Sequence, residues 1–300
     1  MKLQRFISFL LPICFIVGCQ SENAKELKTS ETKNGPQATR KQNLNVSILL
    51  DLSDRIDTKK NANPSMQYYQ RDLGYIGSIS KGFEQYLRNK TLRLLNDQIQ
   101  VYFEPEPLNP QINKLAGQLK FSITKDNGKA EEITKISKDY ALASEQIYKL
   151  ALHDGKYDGA DIWGFFKNKV KDYCIKSDHR NILFILTDGY MFHKDSKFMS
   201  EGRSSYLVPE LIRSFKLNTP GYGKIILQKN YGFIPATTEL NNLEVFVLGI
   251  NPERGNPFEG DVIDSYWRKW FEEMSIKKYV LKRADLPANL DLIIKKYINQ

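Results

Sequence analysis

Two short apolar runs, each broken abruptly by an aspartate, constrain this chain more than anything else in it. Val46 to Leu50 lies inside Asn45–Arg55, Asn-Val-Ser-Ile-Leu-Leu-Asp-Leu-Ser-Asp-Arg, and Asn181-Ile-Leu-Phe-Ile-Leu-Thr187-Asp188-Gly189 repeats the design. Short runs with apolar side chains at consecutive positions predict strands buried on both faces, as in a parallel sheet. The carboxylates and hydroxyls that end them then fall on the C-terminal edge of the sheet, where α/β proteins bind ligands. If the two strands are neighbours, Asp51, Ser53 and Asp188 converge on one point.

The rest of the chain alternates strand and helix signals. Ser65–Asn89 has helical spacing, with Tyr69, Leu73, Ile76, Ile79 and Phe83 three and four residues apart. Gln98–Phe103 reads as a strand, broken by the Pro-rich Glu104–Pro110. Leu115–Ile123 is expected to add a short strand, antiparallel to its neighbour. Ala130–His153 is helical, and Asp161 is placed to cap a helix at Ile162–Ile175. After the Ile182–Leu186 strand comes the long segment Tyr190–Asn242, with a helix at Val208–Phe215 and a hairpin at Lys224–Ile234. A third buried strand at Leu243–Ile250, a helix at Asp261–Ser275, a short strand at Lys278–Leu281 and a helix at Ala288–Ile298 opened by Pro287 complete the pattern. This order predicts an α/β fold: one doubly wound, mostly parallel sheet flanked by helices, over residues 44–300.

The amino terminus carries different information. Lys2 and Arg5 precede an apolar stretch, Phe6 to Val17, that is too short to span a bilayer comfortably. It ends in Ile16-Val17-Gly18-Cys19, which resembles the lipobox of bacterial lipoproteins. The resemblance implies a signal peptide at 1–18, removed before a lipidated Cys19, and a membrane anchored through that lipid. Gln20 in place of Asp implies export to the outer membrane of the cell envelope. Residues 19–43, polar and without apolar periodicity, read as a tether. With Cys14 lost and Cys19 acylated, only Cys174 remains, in a helical pattern suited to a small buried residue. The net charge of +9, from 44 basic and 35 acidic residues, is scattered along the chain, so no nucleic-acid stripe is expected.

The motif order strand–Asp-x-Ser, helices, a Gly-x-Asp-Ile loop, strand–Thr-Asp-Gly and strand–Leu-Gly-Ile resembles the von Willebrand factor A (vWA) domain. That resemblance implies a metal-ion-dependent adhesion site at the top of the sheet, built on Asp-x-Ser-x-Ser, a Thr on a second loop and the Asp of Thr-Asp-Gly. Asp51, Ser53 and Asp188 match three of these positions and would hold Mg²⁺, Ca²⁺ or Mn²⁺ through hard oxygen ligands. Two positions depart from the pattern. Arg55 stands where the second Ser belongs, and Ala160 where the Thr belongs. Either Arg55 acts as a surrogate cation between the carboxylates, or it turns outward and Asp54 or Asp161 supplies the missing oxygen.

Other chemistry finds little footing. Ser53 sits where an aspartyl phosphatase needs a second carboxylate. Ser78 and Ser80 lie inside a helix, away from any nucleophile elbow. His153, His179 and His193 lack metal spacing, though His193 follows the Asp188 turn. Gly221-Tyr-Gly-Lys224 lacks phosphate-loop spacing and is expected to turn into the hairpin. Trp267, Trp270, Phe271 and Met274 recur at helical spacing as core. Tyr190, Met191 and Phe192 follow Asp188 directly and are candidate anchors for an unknown protein partner. The expected function is binding without catalysis, at the Asp51/Ser53/Asp188 edge. A metal-assisted hydrolase at that edge and a structural subunit of an envelope complex are the alternatives.

Overall fold

The computed structural model describes residues 41–156 and 159–300. The signal segment at 1–18, Cys19 and the tether as far as residue 40 lie outside the described residues.

A six-stranded sheet forms the centre. Its strands are β1 (Asn43–Leu50), β2 (Asn96–Tyr102), β3 (Phe121–Thr124), β4 (His179–Leu186) and, after a two-stranded ribbon of β5 (Met199–Ser200) and β6 (Arg203–Ser204), β7 (Leu243–Ile250) and β8 (Lys278–Arg283). The order is β3-β2-β1-β4-β7-β8, and every pair is parallel except β2 with β3. The two apolar runs that end in Asp51 and Asp188, β1 and β4, are neighbours in register, with Leu50 opposite Leu186.

Nine helices accompany the strands among the described residues: α1 (Tyr68–Arg88), α2 (Pro110–Gln118), α3 (Ala130–Asp154), α4 (Ile162–Asn168), α5 (Val170–Cys174), α6 (Pro209–Ser214), α7 (Tyr222–Lys229), α8 (Glu259–Glu273) and α9 (Pro287–Ile298). The sheet separates two cores because successive strand residues point to opposite faces. Val46, Ile48 and Leu50 pack with α1, α3 and α9 on one face. Leu49, Leu183, Ile185, Val245 and Val247 pack with α4, α5 and α8 on the other. The aromatic stripe of α8 is fully buried there, and Cys174 is buried in the same core. This is the doubly wound α/β architecture expected from the sequence, a vWA- or Rossmann-like fold.

Four local expectations change. Leu115–Ile123 is not a strand throughout. Asn109 caps α2 by accepting from Gln111 N, Pro110 starts the helix, and only Phe121 onward pairs with β2. Lys224–Ile234 is not a hairpin; α7 occupies it and ends at Asn230 in the left-handed conformation. The Gly221 segment is therefore the start of that helix. The Ile162–Ile175 helix is broken at Lys169 into α4 and α5. Among the described residues no helix is long and apolar enough to cross a membrane.

Candidate functional site

The sheet order reverses direction between β1 and β4. From β1 the chain crosses to β2 on one side, and from β4 it crosses to β7 on the other. Open α/β sheets form their binding crevice outside the strand ends at such a switch point. The last residues of β1 and β4 bring Asp51 and Asp188 there. Asp51 N donates to Leu186 O at 3.1 Å, and Asn251 N to Asp188 O at 2.8 Å, so the loops after β1, β4 and β7 are tied together at the edge.

Both oxygens of the buried Asp51 are engaged by protein donors. Oδ1 accepts from Ser53 N at 2.9 Å, and Oδ2 accepts from Thr187 Oγ1 at 2.8 Å. Arg55 follows in a single turn of 3₁₀ helix, residues 54–56, and points inward; its side chain is 5% exposed. Its Nε donates to Asp51 O at 3.0 Å and lies 3.4 Å from Asp51 Oδ2. Its Nη2 donates to Asp72 Oδ2 at 2.6 Å and to Leu186 O at 3.0 Å. Asp72, from α1, also accepts from Tyr148 Oη of α3 at 2.8 Å. A buried chain of charge thus runs from the sheet edge through Arg55 and Asp72 to α3.

Charge states follow from these contacts. Burial alone would lower the Arg55 guanidinium, but Asp72 and Asp51 outweigh it and hold the proton firmly. Burial pushes Asp72 up, and Arg55 offsets much of that. Asp188 is pushed up from 3.8 to about 7 by burial and by Asp51, with Arg55 pulling the other way. Its Oδ1 accepts from Tyr190 N at 3.1 Å.

The remaining sequence-predicted residues separate. Ser53 contributes its backbone N–H to Asp51. Asp54 is exposed and pairs with Lys60 Nζ at 3.1 Å. Asp161 caps α4 through Gly164 N at 2.8 Å and accepts from Ser196 Oγ at 2.7 Å, with His193 Nδ1 3.8 Å from its other oxygen. His193 is buried against this cap, and Ala160 is buried and bridges Phe192. Of the three proposed anchors, Met191 is buried in the second core, Tyr190 donates its hydroxyl to Glu259 and accepts from Glu253 N, and Phe192 is 40% exposed. Trp267 Nε1 donates to Gly189 O at 2.8 Å and fixes the turn after Asp188. Asp72, Tyr148, Thr187 and Glu259 were missed in the sequence. Thr187 alone had a signal, its place beside Asp188.

A cleft of about 500 Å³ opens at this edge, lined by Asp54, Arg55, Asp188, Tyr190, Glu253 and Arg254 among others. The size suits a small ligand or a side chain of a partner.

No family model and no curated protein matches the chain. Among solved structures, the conserved hypothetical protein BatB from Bacteroides thetaiotaomicron is similar over 85% of this chain and 97% of its own, at 12% identity and a TM-score of 0.35. The pilus adhesin SpaC from Lactobacillus rhamnosus GG, in its open conformation, is similar over 86% of this chain at 12% identity and a TM-score of 0.37. This chain spans 30% of the adhesin's length. Likeness at that level says nothing of ligand or activity. The strand order stands on its own. The fold is vWA- or Rossmann-like.

Proposed function

We propose that this chain is a binding protein whose partner docks at the cleft between the ends of β1 and β4, and that it does so without a divalent cation. The observation that carries the reading is Arg55. Its buried guanidinium lies against Asp51 and Asp72 and so already supplies positive charge beside the Asp51 carboxylate, where a divalent cation would otherwise bring it. The donor set is poorer than a metal site asks for: both Asp51 oxygens already accept hydrogen bonds from the protein, Ala160 offers no side-chain oxygen, and Asp161 is committed to its cap. Arg55 fills the role of the ion by neutralising the edge, and the edge keeps its shape as a rigid platform.

The loops after β1, β4 and β7 carry the lining, as expected of recognition loops on a rigid scaffold. Residues 1–40 join the chain at the start of β1, roughly 26 Å along the strand from this edge at about 3.3 Å per residue. We infer from the lipobox resemblance that Cys19 is acylated and anchors the chain in the cell envelope. Radiolabelled palmitate should be incorporated by the wild type and lost in Cys19→Ala; equal labelling of both would remove the anchor from this reading.

A photo-crosslinking amino acid at Lys60 or Arg254, on the rim, tests the docking edge in cells of the native host. A discrete adduct from the rim positions, absent when the probe is at Glu132 on α3, is the expected result. No adduct from the rim, or the same adduct from Glu132, would contradict the proposal.

A further inference from the structure

A second concave surface lies away from the cleft, on the sheet face of β2. Along this strand Ile99 and Val101 are buried while Gln98, Gln100 and Tyr102 are only half-buried on the opposite face. On that face α4 and α5 reach β2 only at Tyr102, through Phe165 and Tyr173. β3 pairs only with Asn96–Ile99, so the Gln100–Tyr102 half of β2 has no outer strand. The result is a groove of about 510 Å³, walled by α2 on one side and α5 on the other.

Three features of the lining restrict what it can hold. First, the charges balance: Lys120 and Lys169 face Glu106 and Asp172, and Lys169 is already paired with Glu104. No net field favours an ion. Second, an aromatic platform is fixed in advance. Tyr102 and Tyr173 stack with ring centroids 5.4 Å apart and planes 12° apart, and Tyr102 Oη donates to Tyr173 O at 3.2 Å. Tyr173 is 46% exposed, so its ring has free surface. Third, the polar groups beside it are amides, each able to donate and to accept. Gln100 makes no side-chain hydrogen bond among the described residues, and Asn113 uses its N–H on Pro107 O at 2.7 Å and keeps its oxygen. Neutral ligands with apolar ring faces and hydroxyl edges match all three features.

We propose that the open face of β2 is a groove for a neutral, linear oligosaccharide, stacked on the exposed Tyr173 ring that Tyr102 backs and hydrogen-bonded by Gln100 and Asn113. The strand from Gln98 to Phe103 gives the groove a length of roughly 17 Å, which suits a short oligomer better than a single ring. This site is separate from the Asp188 cleft and does not depend on it.

The test is a chemical-shift titration of the purified protein with cellotetraose, chitotetraose and mannotetraose, read at the side-chain amides of Gln100 and Asn113. Two variants accompany it. Tyr173→Ala removes the platform. Gly117→Tyr fills the groove from α2, where a Cβ meets nothing within 4 Å, so the fold is spared. We expect saturable shifts with at least one sugar, at a Kd of about 1 mM or tighter, weakened about tenfold in both variants with Tm unchanged. Absence of saturable shifts with all three sugars overturns the proposal. So does binding that both variants leave intact, or saturation by an extended Thr-Val-Thr-Val-Thr peptide in place of the sugars.

Discussion

Arg55 is the side chain on which the candidate edge turns. It carries one of the few positive charges buried inside the fold, and two buried carboxylates, Asp51 and Asp72, depend on it. Removing one partner of such a group leaves uncompensated charge behind, so Arg55→Ala should lower unfolding free energy by about 3–5 kcal/mol in urea titrations. A loss under about 1 kcal/mol would mean that the guanidinium is not essential to the edge. Asp188 behaves in the opposite sense. Its carboxyl titrates near 3.8 when unfolded and is pushed up to about 7 in the fold. The protonated form therefore favours the folded state; that contribution is complete below about pH 4 and is lost as pH rises to about 7. Asp188→Asn should match wild type near pH 4 and exceed its stability by roughly 1–3 kcal/mol at pH 8. A difference that stays flat across that window would contradict the raised value. The departures at Arg55 and Ala160 were legible in the sequence because a motif fixed where to look. Asp72 and Tyr148 were not, since they meet Arg55 only through the packing of α1 and α3 on the sheet.

At the scale of elements, the strands were the easiest to read and the segment after β4 the hardest. β1, β4 and β7 are buried on both faces, and continuous apolar runs announce them. The helix α7 gave no such signal: only Ile226 of its residues is buried, and Leu227 is 83% exposed, so its apolar residues mark no single face. For α2 the Asn109-Pro110 pair was a readable start, an N-cap followed by proline at the first turn, outweighed by the apolar residues beyond. Asp161 shows how an element end serves the site. It caps α4 and holds Ser196 beside His193, which pins the segment after Asp188. Asp161→Ala should cost about 1–2 kcal/mol, more than asparagine at the same position, which keeps the cap. Equal losses for the two would assign the effect to charge and not to capping. Gly74 marks the contact of α1 with α9, where an added Cβ would overlap Pro287. Gly74→Ala should destabilise by about 1–3 kcal/mol through overpacking, seen as a lower thermal midpoint; an unchanged midpoint would show that α9 shifts freely.

The whole molecule explains why a reading from residues alone could place the edge but not describe it. Strand order decides that β1 and β4 adjoin; the alternation of strands and helices was enough to expect a parallel sheet but left that adjacency conditional. What fills the space between their ends depends on the turn after β1, on α1 and on α3, the last more than seventy residues further along the chain. A surrogate role for Arg55 requires that space to be closed to metal. A thermal-melt titration of the purified protein with Mg²⁺, Ca²⁺ and Mn²⁺, beside Asp51→Ala, addresses this directly. A working site at about 100 times its dissociation constant would add roughly 2.7 kcal/mol. We predict no midpoint shift in the wild type with any of the three ions. A saturable rise in the wild type that Asp51→Ala abolishes would show that a cation, and not Arg55, completes the edge.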